Sequence, residues 1–208
     1  MGVEEQILDA AVEAASVHGI ERMVVADVAK RARLSRATVY NHFATKDELV
    51  AAAVRREATT LVDAAVVASR QEDGLREALH AAVATILRLA RQHPLLDRVV
   101  RSEPERLVPL LTTDDAWVLP VLRAPVEAVV AERFPGIDPV AGRRFADVLV
   151  RLLVSYSLSA PDDPPEVVAA VVSGLLIDGA VALADGFTVA EVEMDDDEAA
   201  ADAVGGAS

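Results

Sequence analysis

Residues 22–46, Arg-Met-Val-Val-Ala-Asp-Val-Ala-Lys-Arg-Ala-Arg-Leu-Ser-Arg-Ala-Thr-Val-Tyr-Asn-His-Phe-Ala-Thr-Lys, constrain this chain more than any other stretch. Two short helical patterns flank a tight turn, and the stretch is basic inside an acidic protein. It carries six basic residues (Arg22, Lys30, Arg31, Arg33, Arg36 and Lys46) against one acid, Asp27. The whole chain of 208 residues has 20 Lys+Arg against 34 Asp+Glu, a net charge of -14. A cationic module kept within so acidic a chain points to a polyanionic partner at that module. Position divides the charge further. Residues 1–56 carry eight basic and eight acidic residues, and residues 57–208 carry twelve and twenty-six. The acidic body would be repelled by a nucleic acid and has to stand away from it.

Nearly every segment has helical period and little strand pattern. Helices are predicted over about 4–18, 25–31, 35–42 and 45–69, then 75–92, 114–134, 139–157 and 165–184. Gly19 stops the first, and Ser35 caps the third. Thr45-Lys46-Asp47-Glu48 is a capping box that opens the long fourth helix. Pro94 is expected to end the fifth, leaving a Pro-interrupted stretch through Pro109. Pro120 and Pro125 are expected to kink or break the next helix. The fold class predicted is all-α: an N-terminal helix-turn-helix three-helix bundle over 1–47 and a helical body over 48–186. An acidic tail over 187–208 is expected to be disordered.

Within the basic module, Val28, Ala32 and Val39 fall where two steeply crossing helices must touch, and Ala29 and Ala32 permit close approach. Arg36, Ala37, Thr38, Asn41 and His42 then occupy the early, outward positions of the second helix, the part that a major-groove helix presents to base edges. Arg36 suits guanine, Asn41 suits adenine, and the Thr38 methyl suits a thymine methyl. Tyr40 and His42 can donate to phosphate, and Lys46 stands at a helix N-terminus that favours the same group. The implied partner is double-stranded DNA.

The series Gln6-Ile-Leu-Asp-Ala-Ala, His18-Gly, Asp27-Val-Ala, Ala32, Leu34-Ser-Arg-Ala-Thr-Val-Tyr-Asn-His-Phe43 and Lys46-Asp-Glu-Leu resembles the N-terminal domain of TetR-family transcriptional regulators. The resemblance covers about the first fifty residues. It implies a homodimer, a helix-turn-helix in each subunit and a C-terminal ligand pocket that controls DNA binding, most members being repressors. It places DNA contacts on Arg36, Thr38, Tyr40, Asn41, His42 and Lys46. Two positions depart from the family pattern. Arg33 stands where the turn usually has Gly, at a cost of about 1 kcal/mol. Met23-Val24 replace the Thr or Ser that caps the second helix, a loss of roughly 1 kcal/mol and of a phosphate contact.

The body is apolar and poor in rings, with 3% aromatic residues. Val167, Val168, Val171, Val172, Leu175, Leu176, Ile177, Ala180, Val181 and Leu183 cover most of the last helix, which therefore has to be buried on all sides. Phe145, Leu149, Leu152 and Tyr156 make a stripe on the helix before it. The two helices are predicted to form the homodimer interface. A pocket lined by aliphatic side chains favours a small lipophilic effector. Leu87, Arg91, Trp117, Val121, Leu149 and Tyr156 are its predicted wall, with Arg91 placed to meet a carboxylate.

No cysteine is present, which excludes disulfides and thiolate chemistry. His80 and His93 lack carboxylates at metal-ligand spacing, so no metal and no cofactor is expected. Neither a catalytic constellation nor a Gly-rich phosphate loop occurs, so no enzymatic activity is expected. The start has no basic n-region, and the longest apolar run, Val167 to Leu183, is short for a membrane span and interrupted by Asp178, so a cytoplasmic chain is expected. The alternative function is a protein-interaction adaptor with a degenerate helix-turn-helix.

Overall fold

The computed structural model describes residues 2–103 and 118–184, and the described residues are helical with no strand. The elements are α1 (Val3–His18), α2 (Val25–Arg31), α3 (Arg36–His42), α4 (Lys46–Arg70), α5 (Leu75–Gln92), α6 (Pro94–Ser102), α7 (Val118–Arg133), α8 (Pro139–Leu158) and α9 (Pro165–Ala184). The predicted acidic tail and Trp117 lie outside the described residues.

The first three helices form a small head. In α1, Ile7, Leu8, Ala10, Ala11, Ala14 and Ala15 turn inward. The Glu5 carboxylate accepts from the Gly2 amide at 2.9 Å, and Gly19 ends the helix at φ +83°. Val28, Ala32 and Val39 are buried at the crossing of α2 and α3, where the alternation of small and branched side chains lets short helices touch. Full burial of a Val or Ile contributes about 1.5–3 kcal/mol, so seven-residue helices that would not persist alone are held by their core. Ser35 caps α3, its hydroxyl accepting from the Thr38 amide at 3.0 Å. Thr45 caps α4, accepting from the Glu48 amide at 3.1 Å. Glu48 reaches back one residue beyond its expected partner, to the Ala44 amide at 2.8 Å.

The 25-residue α4 joins the head to the body. Its first turns give Leu49 and Ala53 to the head core, and further on Ala65 enters a second core with residues of α5, α8 and α9. The head core also takes Leu95 and Val99 from α6. This helix corrects the expectation of an irregular stretch after Pro94. Proline is tolerated at the first helical position, where its missing N–H would have had no partner, and His93 caps the helix by accepting from the Leu96 amide at 3.4 Å. Nor is α7 broken. Pro120 sits in its first turn, and Pro125 is carried inside a continuous helix at the expense of one donor.

The last helix is apolar on two faces. Val168, Ala169 and Val172 face the body core, while Val167, Val171 and Leu175, at i, i+4 and i+8, remain exposed, Leu175 at 71%. In α8 the predicted interface stripe is corrected: Phe145, Leu149, Leu152 and Tyr156 pack in the body's own core. The outward face of α8 carries Val148 instead. That outward side also carries Arg143, Arg144 and Arg151, and the apolar stripe turns inward.

Candidate nucleic-acid interface and body cavities

Val39 and Phe43 anchor α3 in the head, which leaves its other side to solvent. Arg36, Asn41 and His42 are exposed, Tyr40 is half exposed at 50%, and Thr38 is partly covered. The Thr38 hydroxyl lies 2.8 Å from that of Ser35. Five of the six predicted contacts thus share one short helix. The sixth, Lys46, lies one loop further on and donates to the Glu21 carbonyl at 2.7 Å, so its ammonium is fixed beside the α1–α2 turn.

The turn between α2 and α3 is a Schellman motif. The Arg33 amide donates to the Lys30 carbonyl at 3.2 Å, and the Leu34 amide to the Ala29 carbonyl at 2.9 Å. Arg33 occupies the left-handed position at φ +54°, the one such non-glycine among the described residues. The predicted strain is therefore present, and the turn keeps its geometry. Val24 is the N-cap of α2, has no capping side chain and is exposed at 51%. The neighbouring Met23 is core. Of the basic residues on the head, Arg31 is paired with Glu13. Among the described residues no ion pair involves Arg22, Lys30, Arg33 or Arg36, which leaves their charge available to an anion.

Away from the head, three apolar cavities run along α4. One of about 80 Å³ lies among Val62, Ala65, Val83, Val126, Phe145 and Leu149. The next, about 150 Å³, shares Val62, Ile86, Val126 and Leu153 with it. The third, about 100 Å³, shares Val54, Ala58, Leu61 and Leu96 with the second and reaches Ile20 in the head. On α4 the string runs from Val54 to Ser69, roughly 22 Å at 1.5 Å per residue. Ser157 lines the middle cavity, and charged groups stand toward the string's two ends. At one, Arg133 donates to the Ser69 carbonyl at 2.5 Å. At the other, Glu57 and His93 meet at 2.9 Å. His93 accepts through Nδ1, which leaves Nε2 to donate to Glu57. The His93 hydrogen bond holds the Glu57 carboxyl below the usual carboxylate range, and Arg56 adds to the effect. Arg56 also bridges to Asp9 of α1 at 2.7 Å. A charged chain thus joins a cavity wall to the head.

Of the predicted pocket residues, Leu149 lines a cavity. Leu87 is buried in the body core without reaching one, and Tyr156 is partly buried against the same core. Arg91 is turned away: its guanidinium donates to the carbonyls of Pro161 and Asp163, fastening α5 to the α8–α9 loop. Val121 is partly buried on α7 and lines none of the three cavities. The sequence reading missed Val62, Ile86, Val126 and Leu153, the shared walls. Val62 sits on α4 at a helical repeat with Ala58, Ala65 and Ser69, the signal in the sequence that marks this wall.

Comparison with known proteins agrees with the two parts. The family described as bacterial regulatory proteins, tetR family, matches residues 7–53, and that described as bacterial tetracyclin repressor, C-terminal domain, matches residues 74–178. Among solved structures the chain is similar to the TetR-family repressor AlkX from Dietzia sp. strain DQ12-45-1b, implicated in biodegradation of n-alkanes. That likeness has TM-score 0.69 and 21% identity, over 84% of this chain and 95% of that one. FadR from Bacillus subtilis in complex with stearoyl-CoA is similar at TM-score 0.58 and 18% identity, over 84% and 98%. The nucleoid occlusion factor SlmA of Haemophilus influenzae is 33% identical over 85 residues, 41% of this chain and 39% of the relative. The chain therefore spans about two fifths of that curated relative's length. Among the described residues no helix is long and apolar enough to cross a membrane. With a family helix-turn-helix at its N-terminus and the family's C-terminal domain over half its length, the chain belongs to the TetR family of transcriptional regulators, DNA-binding proteins rather than enzymes.

Proposed function

We propose that the protein is a homodimeric repressor, released from a palindromic operator when an elongated aliphatic ligand fills the cavities along α4. The observation that carries this reading is the string of cavities itself. It follows the helix that begins with Lys46 and ends in the body, so a ligand in it bears on the element that positions α3. Filling an apolar cavity is favoured by burial of the ligand's own apolar surface. A line of adjoining apolar spaces that share walls suits an extended chain better than a stacked ring system. Arg133 at the outer end makes an aliphatic carboxylate the first class to test. Two proteins of similar fold point to the same chemistry: FadR from Bacillus subtilis is in complex with stearoyl-CoA, and AlkX is implicated in biodegradation of n-alkanes.

The exposed stripe of Val167, Val171 and Leu175 on α9, and the exposed Val148 on α8, support dimerisation through these two helices. Two heads held on one body would read two half-sites about one helical turn apart, and a change in their separation would lower operator affinity. The assay is a titration of dodecanoate and dodecane against the protein bound to a selected operator duplex. Release by dodecanoate, weakened in Arg133→Ala, supports the reading. Operator affinity unchanged by saturating amounts of both compounds, with no thermal stabilisation of the protein, would reject it. Failure of the protein to select any DNA would favour the adaptor reading.

A further inference from the structure

The α1–α2 turn is held from two sides. Gly19, at φ +83°, brings the amides of Ile20 and Glu21 toward one acceptor, a concave pair of donors suited to an anion. The anion comes from the end of α6, which packs against α1 in the head core. Glu103, the residue that ends α6, is 6% exposed. Its Oε2 accepts from Ile20 at 2.9 Å and from Glu21 at 3.2 Å, and Oε1 lies 3.3 Å from the Glu21 amide. A methyl group added to Gly19 would stand 2.1 Å from Oε1, so this approach requires glycine for space as well as for its dihedral angle. The opposite side of the turn is the Glu21 carbonyl, which Lys46 holds.

Glu103 is the one charged side chain among the buried described residues, and it spans 83 positions to reach Ile20. The same two segments also wall a cavity: Ile20 faces Leu95, Leu96 and Val99 of α6. The Glu103 amide donates to the Val99 carbonyl at 2.8 Å, so the carboxylate rides on the last turn of the helix that lines that space. We propose that Glu103 is a coupling residue, the latch through which α6 sets the orientation of the helix-turn-helix and transmits cavity occupancy to it. This rests on the ligand-responsive reading above. A ligand that separates Ile20 from α6 must stretch or break the latch, and the head then moves relative to the body.

The chain's lack of cysteine permits a clean test. Spin labels at Lys30→Cys on the head and Ala141→Cys on the body report the head–body distance by pulsed dipolar spectroscopy. Excess unlabelled chain restricts the reading to pairs within one protomer. The latch predicts a narrow distribution in the parent, a broadened one in Glu103→Ala and in Gly19→Ala, and near-parent width in Glu103→Gln, which keeps an oxygen acceptor. Dodecanoate should shift the parent distribution and leave that of Glu103→Ala unmoved. Broadening in the two disruptive variants with no dodecanoate response in the parent supports the latch and rejects the proposed ligand class. A Glu103→Ala distribution as narrow as the parent's, or an equal dodecanoate shift in both, would overturn the latch. If Glu103→Ala does not fold, Gly19→Ala and Glu103→Gln carry the same comparison.

Discussion

Arg33 is the position at which this helix-turn-helix is most open to improvement. It stands in the left-handed region at φ +54°, at the residue that closes α2 in a Schellman motif. For an L-residue with a Cβ this conformation costs about 1–2 kcal/mol. The exposed Arg33 side chain has no ion pair among the described residues to offset the cost. Arg33→Gly removes the strain but gives the unfolded chain more freedom, an opposing term of about 0.5–1 kcal/mol. The expected net gain is about 0.5 kcal/mol, or roughly 1–2 °C in a chain of this size. Arg33→Asn should fall close to Gly, because Asn visits this region readily. Arg33→Val should lose about 1 kcal/mol more than Arg, since β-branched residues are the least tolerant there. Urea unfolding of the four proteins gives the order. Stability of Val equal to that of Arg, together with a loss in Gly, would refute the strain argument. Salt titration of DNA binding by the Gly variant separates backbone from charge. If Arg33 meets a phosphate, the slope of log K against log salt falls by about 1.

Val24→Thr should supply the missing cap of α2, raising stability by about 1 kcal/mol and tightening DNA binding, while Ser35→Ala should lose a similar amount by uncapping α3; thermal denaturation and a gel-shift titration read both. His93→Ala removes the hydrogen bond that lowers the Glu57 pKa and should cost about 1 kcal/mol at neutral pH. Because the folded-state pKa is depressed, the stabilisation is present above the unfolded carboxylate value and is lost as pH falls through the folded one. The stability gap between parent and variant should therefore close in the acid range below about 4.3, as measured by urea midpoints against pH. Leu175→Asp places a charge on the exposed stripe of α9 and should shift sedimentation from dimer to monomer while helix content stays unchanged.

The head was largely legible in the sequence because its signals are local. Ser35, Thr45 and Gly19 punctuate helices by their own chemistry, and the exposure of Arg36, Tyr40, Asn41 and His42 follows from the phase of α3. Even the departure at Arg33 could be located before its dihedral angle was known. The body was legible only as helices. Pro94 was read as a stop because the residue alone does not distinguish the end of one helix from the start of the next. The stripe on α8 was assigned to the wrong neighbour because Phe145 and Leu149 do not encode which apolar surface covers them. Arg91 was aimed at a ligand, whereas its partners, the carbonyls of Pro161 and Asp163, lie seventy residues away or more. Glu103 carries no sequence signal at all. Its meaning depends on two amides of a turn more than eighty residues earlier.

The central claim is that α3 reads DNA in a sequence-specific manner as one of a symmetric pair. It is tested most directly by selecting bound duplexes from a random library with purified protein at near-physiological salt, after unfolding and refolding to strip any carried ligand. The account predicts enrichment of a palindrome whose half-sites lie about one helical turn apart, or a multiple of it. Loss of that enrichment on changing Arg36 or Asn41 to Ala would tie the readout to α3. A library that remains unenriched through repeated rounds, with the protein folded and dimeric, would contradict the account.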